Sequence, residues 1–217
     1  MIDIAIQKSF QERLNAIRSL EQTDLIPRAE ASGLTLKNAG ESALFEYLGD
    51  TYVIRAIHSY EEASDDFKTL KGYFTHELTC LNLTTGATVN FEWEEDDELE
   101  VSMTLDRLSF RDLTDERGEA VDEDDLDQIA DDRDVVIARS EKFWYEDDWA
   151  AVYHRNDRRE QVYLYEFKNE SQTRFLTIEE WSGSGRDEYR IYTSVPVDPA
   201  AVTLISRGVP APDRSEG

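Results

Sequence analysis

The chain has little of what marks a secreted, membrane-spanning or metal-cluster protein. Its single cysteine, Cys80, excludes an intramolecular disulfide and a cysteine-type metal cluster. No run approaches the roughly 20 apolar residues that a membrane span needs. Asp3 stands where a signal peptide would carry positive charge, and the apolar residues after it are soon interrupted. These absences predict a soluble, unprocessed protein of the reducing cytoplasm.

Basic residues are also scarce, and their shortage sets the charge of the molecule. The 217 residues include 23 Lys and Arg against 48 Asp and Glu, which gives a formal net charge of −25. A surface field of this sign repels phosphate backbones and anionic lipid headgroups, so neither nucleic acid nor direct membrane insertion is expected. The charge favours a basic protein partner, a polyamine or another cation, or it serves solubility alone.

The apolar and aromatic residues carry the alternation typical of β-strands. The 4 Trp, 10 Tyr and 9 Phe supply enough apolar area for a folded core despite the charge. Runs rich in β-branched and aromatic residues recur at Leu44–Tyr47, Tyr52–Ile57, Tyr73–Leu83 and Gln161–Phe167. Gly49-Asp50, between the first two runs, is a hairpin turn signal. The pattern predicts a mainly β fold with antiparallel strands.

Two stretches of the chain resemble each other, Thr88–Thr104 and Thr173–Thr193. In each, a β-prone run ends in Glu-Trp, as Glu92-Trp93 and as Glu180-Trp181. A polar turn follows, and then an Asp-Glu pair with alternating apolar residues. The similarity predicts an internal duplication, with two related antiparallel β lobes.

The periodicity also predicts how the chain is organised. Ile6, Phe10, Leu14 and Ile17 fall on one stripe of a helix, which predicts an amphipathic helix from about Ile4 to Leu20. The predicted parts are a helix and connector over residues 1–33, a first β repeat over 34–113, a second over 135–206, and a frayed tail over 207–217.

The interval 114–134 is dominated by acidic side chains. Its only large apolar residues are Val121, Leu126 and Ile129, and like charges at this density repel one another. The run from Asp122 lacks the central glycine and the last-position glutamate of an EF-hand, so it is not a calcium loop. An exposed acidic linker between the two repeats, with at most one helical turn, is expected.

Motifs for catalysis or cofactor binding are missing from the sequence. Ser182-Gly183-Ser184-Gly185 does not fit a nucleophile elbow and is better interpreted as a hairpin turn. No phosphate-binding loop occurs. His58, His76 and His154 are too scattered to form a metal motif. The sequence therefore predicts no cofactor and no metal.

The two Glu-Trp pairs are the remaining candidates for a site. Glu92 and Glu180 resemble the carboxylate pair of a glycosidase if a duplication brings them together. Trp93 and Trp181 are core anchors first and ligand platforms second. Because Phe91 shares a strand face with Trp93, whereas Glu179 shares one with Trp181, Trp181 is the weaker candidate of the two for a core residue and the better candidate for a platform at a binding surface.

Several of these residues resemble a known family. Leu48–Ile54, the following Tyr60 and above all Leu176–Trp181 are similar to the bacterial domain of unknown function 4178 family. The resemblance covers Leu34 to Ser206, although Phe74 or His76 stands where members often carry a tryptophan. It implies a β-rich cytoplasmic protein without established catalytic residues. Members are often encoded near membrane-stress and polyamine-related proteins, which hints at an interaction role.

The function expected from the sequence is a non-enzymatic binding or scaffold module. Its candidate binding residues are Trp181, Glu180, Trp93 and Glu92. Two alternatives stay open: a hydrolase-type enzyme that uses Glu92 or Glu180, and a polyamine- or cation-binding protein. A deep pocket with convergent polar groups beside these glutamates would favour the enzyme.

Overall fold

Twelve antiparallel strands make up most of the described part of the chain. The computed structural model describes residues 13–15, 18, 25–27, 29–155, 158–182 and 188–209. The strands are β1 (Leu44–Tyr47), β2 (Asp50–Ala63), β3 (Leu70–Asn82), β4 (Thr88–Glu95), β5 (Leu99–Leu108), β6 (Leu113–Thr114), β7 (Val135–Ala138), β8 (Glu141–Arg155), β9 (Arg158–Lys168), β10 (Phe175–Ser182), β11 (Glu188–Pro196) and β12 (Thr203–Leu204). Their order in the sheet is β12-β1-β2-β3-β4-β5-β11-β10-β9-β8-β7-β6, and β2 also pairs with β8. The predicted mainly β fold is confirmed.

The hairpin between β1 and β2 shows how local sequence fixes a turn. Tyr47 pairs with Asp50, which leaves Leu48 and Gly49 as a two-residue loop. Their φ angles of 50° and 84° are both positive. Two such residues in succession are the mark of a type I′ turn, which matches the twist of the flanking strands. Gly49 adopts this backbone freely, and Leu48 is 80% exposed.

The strands belong to two compact units. One comprises Met1–Ile57, His76–Val101 and Val197–Gly217, and the other comprises His58–Thr75 and Ser102–Pro196. The predicted lobes follow each other along the sequence, whereas each unit is built from distant segments. Strands β2, of 14 residues, and β3, of 13, each contribute residues to both units.

The first unit has an aromatic core. Phe45 lies at 5.2 Å from Tyr52 in a stacked arrangement and at 5.1 Å from Phe91 edge to face, measured between ring centroids. Both phenylalanines are fully buried. A second cluster of buried aliphatic side chains consists of Leu44, Val53 and Leu81. These residues come from β1 to β4. Because Leu44 and Phe45 are adjacent on β1, and Tyr52 and Val53 on β2, the two clusters lie on opposite faces of the strands.

The second unit contains the segment that was expected to be an exposed linker. A short helix, α1 (Leu126–Asp132), follows the acidic run, and Val121, Leu126 and Ile129 are buried against Phe167 and Ile178. Leu126 and Ile129 are three residues apart and so share one face of the helix. The three apolar residues anchor the segment, which the sequence did not predict, while most of its carboxylates face water.

Two predicted parts of the chain fall largely outside the described residues. The amphipathic helix from Ile4 to Leu20 is one of them. Of the predicted tail, Arg207 and Val209 are hydrogen-bonded: Gly40 donates its backbone N–H to the Arg207 carbonyl and Val209 donates to Glu41. The remainder, 210–217, lies outside the described part.

Candidate functional site

Strand β10 places neighbouring residues of its Glu-Trp motif on opposite faces of the sheet. Glu179 and Trp181 are two residues apart and share one face, whereas Glu180 points to the other. Cross-strand pairing supports this division, because Glu180 lies opposite Tyr163 on β9 and Tyr189 on β11. The candidate residues of the motif therefore face two different environments.

Glu179 is the centre of a buried polar network. It is 2% exposed. One carboxylate oxygen, Oε1, accepts hydrogen bonds from the hydroxyls of Tyr60 at 2.7 Å and Tyr192 at 3.1 Å. The other, Oε2, accepts one from the indole Nε1 of Trp181 at 2.7 Å. Burial of a carboxylate is costly unless such donors compensate for lost water, and bonds to a charged acceptor are strong.

Trp181 is enclosed by this network and its neighbours. The side chain is 5% exposed and packs edge to face on Tyr153, with ring centroids 4.9 Å apart. The guanidinium of Arg190 lies 4.0 Å from the centroid of the indole ring. Trp181 is therefore a core residue, the first of the two roles predicted for it, and not an exposed platform. Its polar companion Glu179 signalled a buried hydrogen-bond network, not solvent.

The opposite face of β10 carries tyrosines paired with carboxylates. Asp148 accepts hydrogen bonds from the phenols of Tyr145 and Tyr163. Tyr165 donates to Asp127 Oδ1 at 2.8 Å. Glu180, which is half-buried, shares this face. We refer to these six residues as the tyrosine–carboxylate cluster.

The phenols of this cluster are held in their protonated form. Burial raises the pKa of Tyr145 and of Tyr163, and the hydrogen bond from each to Asp148 raises it further. Burial and then the hydrogen bond to Asp127 raise the pKa of Tyr165. At neutral pH these phenols are therefore hydrogen-bond donors to carboxylates and not bases.

The first Glu-Trp motif, on β4, has different surroundings. Trp93 is half-buried, and its ring stacks on His76 with centroids 4.0 Å apart and planes at 18°. Glu92 is also half-buried and lies opposite Glu77 on β3. Burial lowers the pKa of His76. Glu92 and Trp93 thus belong to the first unit, whereas Glu180 and Trp181 belong to the second.

The comparison with known families is decided by one match. A model described as a domain of unknown function (DUF4178) matches residues 42–199, which is most of the chain. The chain belongs to the DUF4178 family. The matched residues of this DUF4178 domain include both Glu-Trp motifs and the Glu179 network. Neither a curated protein nor a solved structure matches the chain.

A surface depression in the second unit of the DUF4178 domain was not predicted from the sequence. It has a volume of about 320 Å³ and is lined by Trp144, Lys168, Asn169, Glu170 and Gln172. Trp144 is 36% exposed. The available signal was the aromatic run Phe143-Trp144-Tyr145, in which alternation buries Phe143 and leaves Trp144 outside.

The described residues contain neither a metal-binding cluster nor a membrane-spanning helix. Among them, no three His, Cys, Asp or Glu side chains lie close enough to hold a metal ion. None of the helices in the same part of the DUF4178 chain has the length and apolar character required to cross a bilayer. Cys80 is buried, and burial raises the pKa of its thiol.

Proposed function

We propose that this DUF4178 protein is a non-enzymatic, cytoplasmic binding module for a basic protein partner. The observation that carries the proposal is the environment of Glu179. The Glu179 carboxylate is 2% exposed and already accepts three side-chain hydrogen bonds. A catalytic acid or base must reach the proton that it transfers. Glu179 is therefore a structural group, and recognition is left to the surface.

The charge of that surface favours a basic partner. The formal net charge is −25, and the turn between β4 and β5 exposes Asp96, Asp97 and Glu98 in succession. Carboxylates in water attract cationic segments and raise the rate of encounter, an effect that salt screens. Binding should accordingly depend on ionic strength.

A peptide experiment tests this function. An Arg-rich peptide labelled with a fluorophore is titrated with the full chain, beside Glu-rich and neutral peptides of equal length, and anisotropy is recorded at low and high salt. We expect the Arg-rich peptide alone to bind, more weakly at high salt. Mass spectrometry of the bound peptide should find it intact. Absence of binding at low salt would contradict the proposal. Cleavage of the peptide that is lost in Glu180→Gln would favour the hydrolase alternative instead.

Polyamine or cation binding is the second candidate, and the tyrosine–carboxylate cluster favours it. Asp148, Asp127 and Glu180 place three carboxylates among three tyrosine rings on one face. Aromatic faces and carboxylates are the groups that bind organic cations. Calorimetric titration with spermidine, with magnesium as the control cation, distinguishes this candidate. Heat with spermidine that is lost in Asp148→Asn would support it.

The proposal retains the internal duplication as a hypothesis about origin. In its favour, both Glu-Trp pairs lie on a strand, β4 or β10, and each strand is followed by another, β5 or β11. The amphipathic helix predicted over Ile4 to Leu20 is retained in the same way, as an element that docks on the body of the protein or on a partner. Close superposition of the two strand pairs, with Trp93 on Trp181, would support the first hypothesis.

A further inference from the structure

The depression around Trp144 presents an aromatic ring to solvent. Of the four tryptophans, Trp181 is buried and Trp93 and Trp149 are half-buried, whereas Trp144 is the exposed one. The indole lies on β8 in a cross-strand row between Val135 of β7 and Lys168 of β9. An exposed indole in a depression of about 320 Å³ is suited to stacking against a planar or cationic group.

Among the charged side chains around the Trp144 ring, Glu170 is the carboxylate that can attract a ligand. The Lys168 ammonium lies 2.5 Å from Glu146 Oε2, so its charge is compensated. Glu141 is engaged by Arg174 at 2.7 Å and by the Asn169 amide at 2.8 Å. Glu170, on the rim of the depression, is exposed. The local charge that remains for a ligand is therefore negative.

The loop that forms the rim is held in shape by Asn169. Its side chain is 9% exposed, and its Oδ1 accepts hydrogen bonds from the backbone N–H groups of Thr173 at 2.9 Å and Arg174 at 3.1 Å. Gln172 adopts a positive φ of 54° inside this loop. A preformed rim lowers the entropy that a ligand must overcome on binding.

Elsewhere in the same unit, an arginine of the chain already lies between a tryptophan and a glutamate. At Trp181, the guanidinium of Arg190 lies 4.0 Å from the indole centroid, and its Nε lies 3.4 Å from the carboxylate of Glu188. Indole, guanidinium and carboxylate thus form a set of three. The depression offers the indole of Trp144 and the carboxylate of Glu170, and a guanidinium from outside would complete the set.

We propose that Trp144 and Glu170 form the docking point for an arginine side chain of the basic partner. The inference rests on the proposed function and names the residues that recognise the partner. A guanidinium stacks on an aromatic face and pairs with a carboxylate at the same time, which an ammonium does less well. The acidic surface attracts the basic partner, and the Trp144 indole favours arginine over lysine.

The test compares variants of the full chain with the labelled Arg-rich peptide and its Lys-rich counterpart. We expect Trp144→Leu to weaken binding of the Arg-rich peptide about tenfold, the loss of one partly desolvated cation–π contact. Glu170→Gln should weaken binding several-fold and Trp144→Phe less than Trp144→Leu. Asp97→Asn, a single carboxylate of the exposed β4–β5 turn, is the control for loss of charge alone and should have a smaller effect. The wild-type chain should bind the Lys-rich peptide more weakly than the Arg-rich peptide. This preference for arginine should be absent in Trp144→Leu.

The outcomes separate this inference from the function on which it rests. If the wild-type chain binds the Arg-rich peptide and both Trp144→Leu and Glu170→Gln bind it equally well, the docking point is wrong and the proposed function stands. If the wild-type chain binds no basic peptide, the proposed function itself fails. Binding of a neutral oligosaccharide that requires Trp144, without arginine preference, would overturn the inference in favour of a sugar site. Thermal melting of each variant shows that it is folded, and Glu170→Gln changes only an exposed side chain.

Discussion

The two Glu-Trp strands fill the same strand position with opposite chemistry. Two residues before the tryptophan, β4 carries Phe91, which is fully buried, and β10 carries Glu179, which is 2% exposed. An apolar ring and a carboxylate are therefore equally hidden from water. Phe91 packs among aromatic rings, whereas Glu179 is surrounded by Tyr60, Tyr192 and Trp181 as donors. Burial of the position is common to both, and the neighbouring elements decide which side chain is tolerated there.

The tryptophan beside the polar residue is the more buried of the two. Trp181 is enclosed by Tyr153 and Arg190 and donates its indole N–H, whereas Trp93 is half-buried with one face on His76. A polar neighbour on the same strand face therefore does not make a tryptophan a surface residue. When donors surround the neighbour, the pair becomes part of the core.

Truncation of the two tryptophans should give the largest difference between the strands. Trp181→Ala removes a buried ring and one hydrogen bond, so we expect it to lower the free energy of unfolding by about 3 to 5 kcal/mol. Trp93→Ala should cost roughly half as much, because the ring is only half-buried. Denaturant unfolding followed by circular dichroism measures both. Equal losses, or a larger loss for Trp93→Ala, would show that the exposure of the rings does not govern their contribution.

Substitution of adjacent glutamates on β10 isolates the buried network. Glu179→Gln keeps the shape but replaces one acceptor oxygen with an amide NH₂ that faces hydroxyl or indole donors. We expect a loss of about 1 to 3 kcal/mol, the cost of unsatisfied buried donors. Glu180→Gln, on the opposite and half-buried face, is the matched control and should change stability by less than about 0.5 kcal/mol. A silent Glu179→Gln variant would mean that the three hydrogen bonds contribute little.

Alternation along the chain predicted the strands well, because it depends only on neighbouring residues. It placed the runs of β1, β9 and the Glu-Trp strands, and the glycine of the first turn. It could not supply what covers each face. Tyr60 and Glu179 are separated by 119 residues in sequence, so their hydrogen bond depends on tertiary pairing that no local pattern encodes. The burial of Val121, Leu126 and Ile129 within an acidic run was missed for the same reason. So was the Trp144 depression, whose rim is a loop held by Asn169.

The smallest predicted effect concerns pH and belongs to His76 of β3, which pairs with Trp93 of β4. Burial lowers the pKa of His76 below its ordinary value of about 6.5, because the charged form loses water. The unfolded chain then binds a proton more readily than the folded chain as the pH falls below about 6.5. Stability from this group is therefore complete above the unfolded pKa and is lost as the pH falls towards the folded pKa.

The Trp93 ring at 4.0 Å opposes the shift, since an aromatic face attracts an imidazolium. Titration of the His76 ring by NMR measures the net result, and we expect a midpoint below 6.5. The decline of unfolding free energy between neutral and mildly acidic pH should be shallower in His76→Gln. In Trp93→Leu the midpoint should fall further, because the opposing attraction is removed while the site stays apolar. A midpoint above 6.5 in the wild-type chain would mean that the indole outweighs burial, and that His76 stabilises the β4 strand in its charged form.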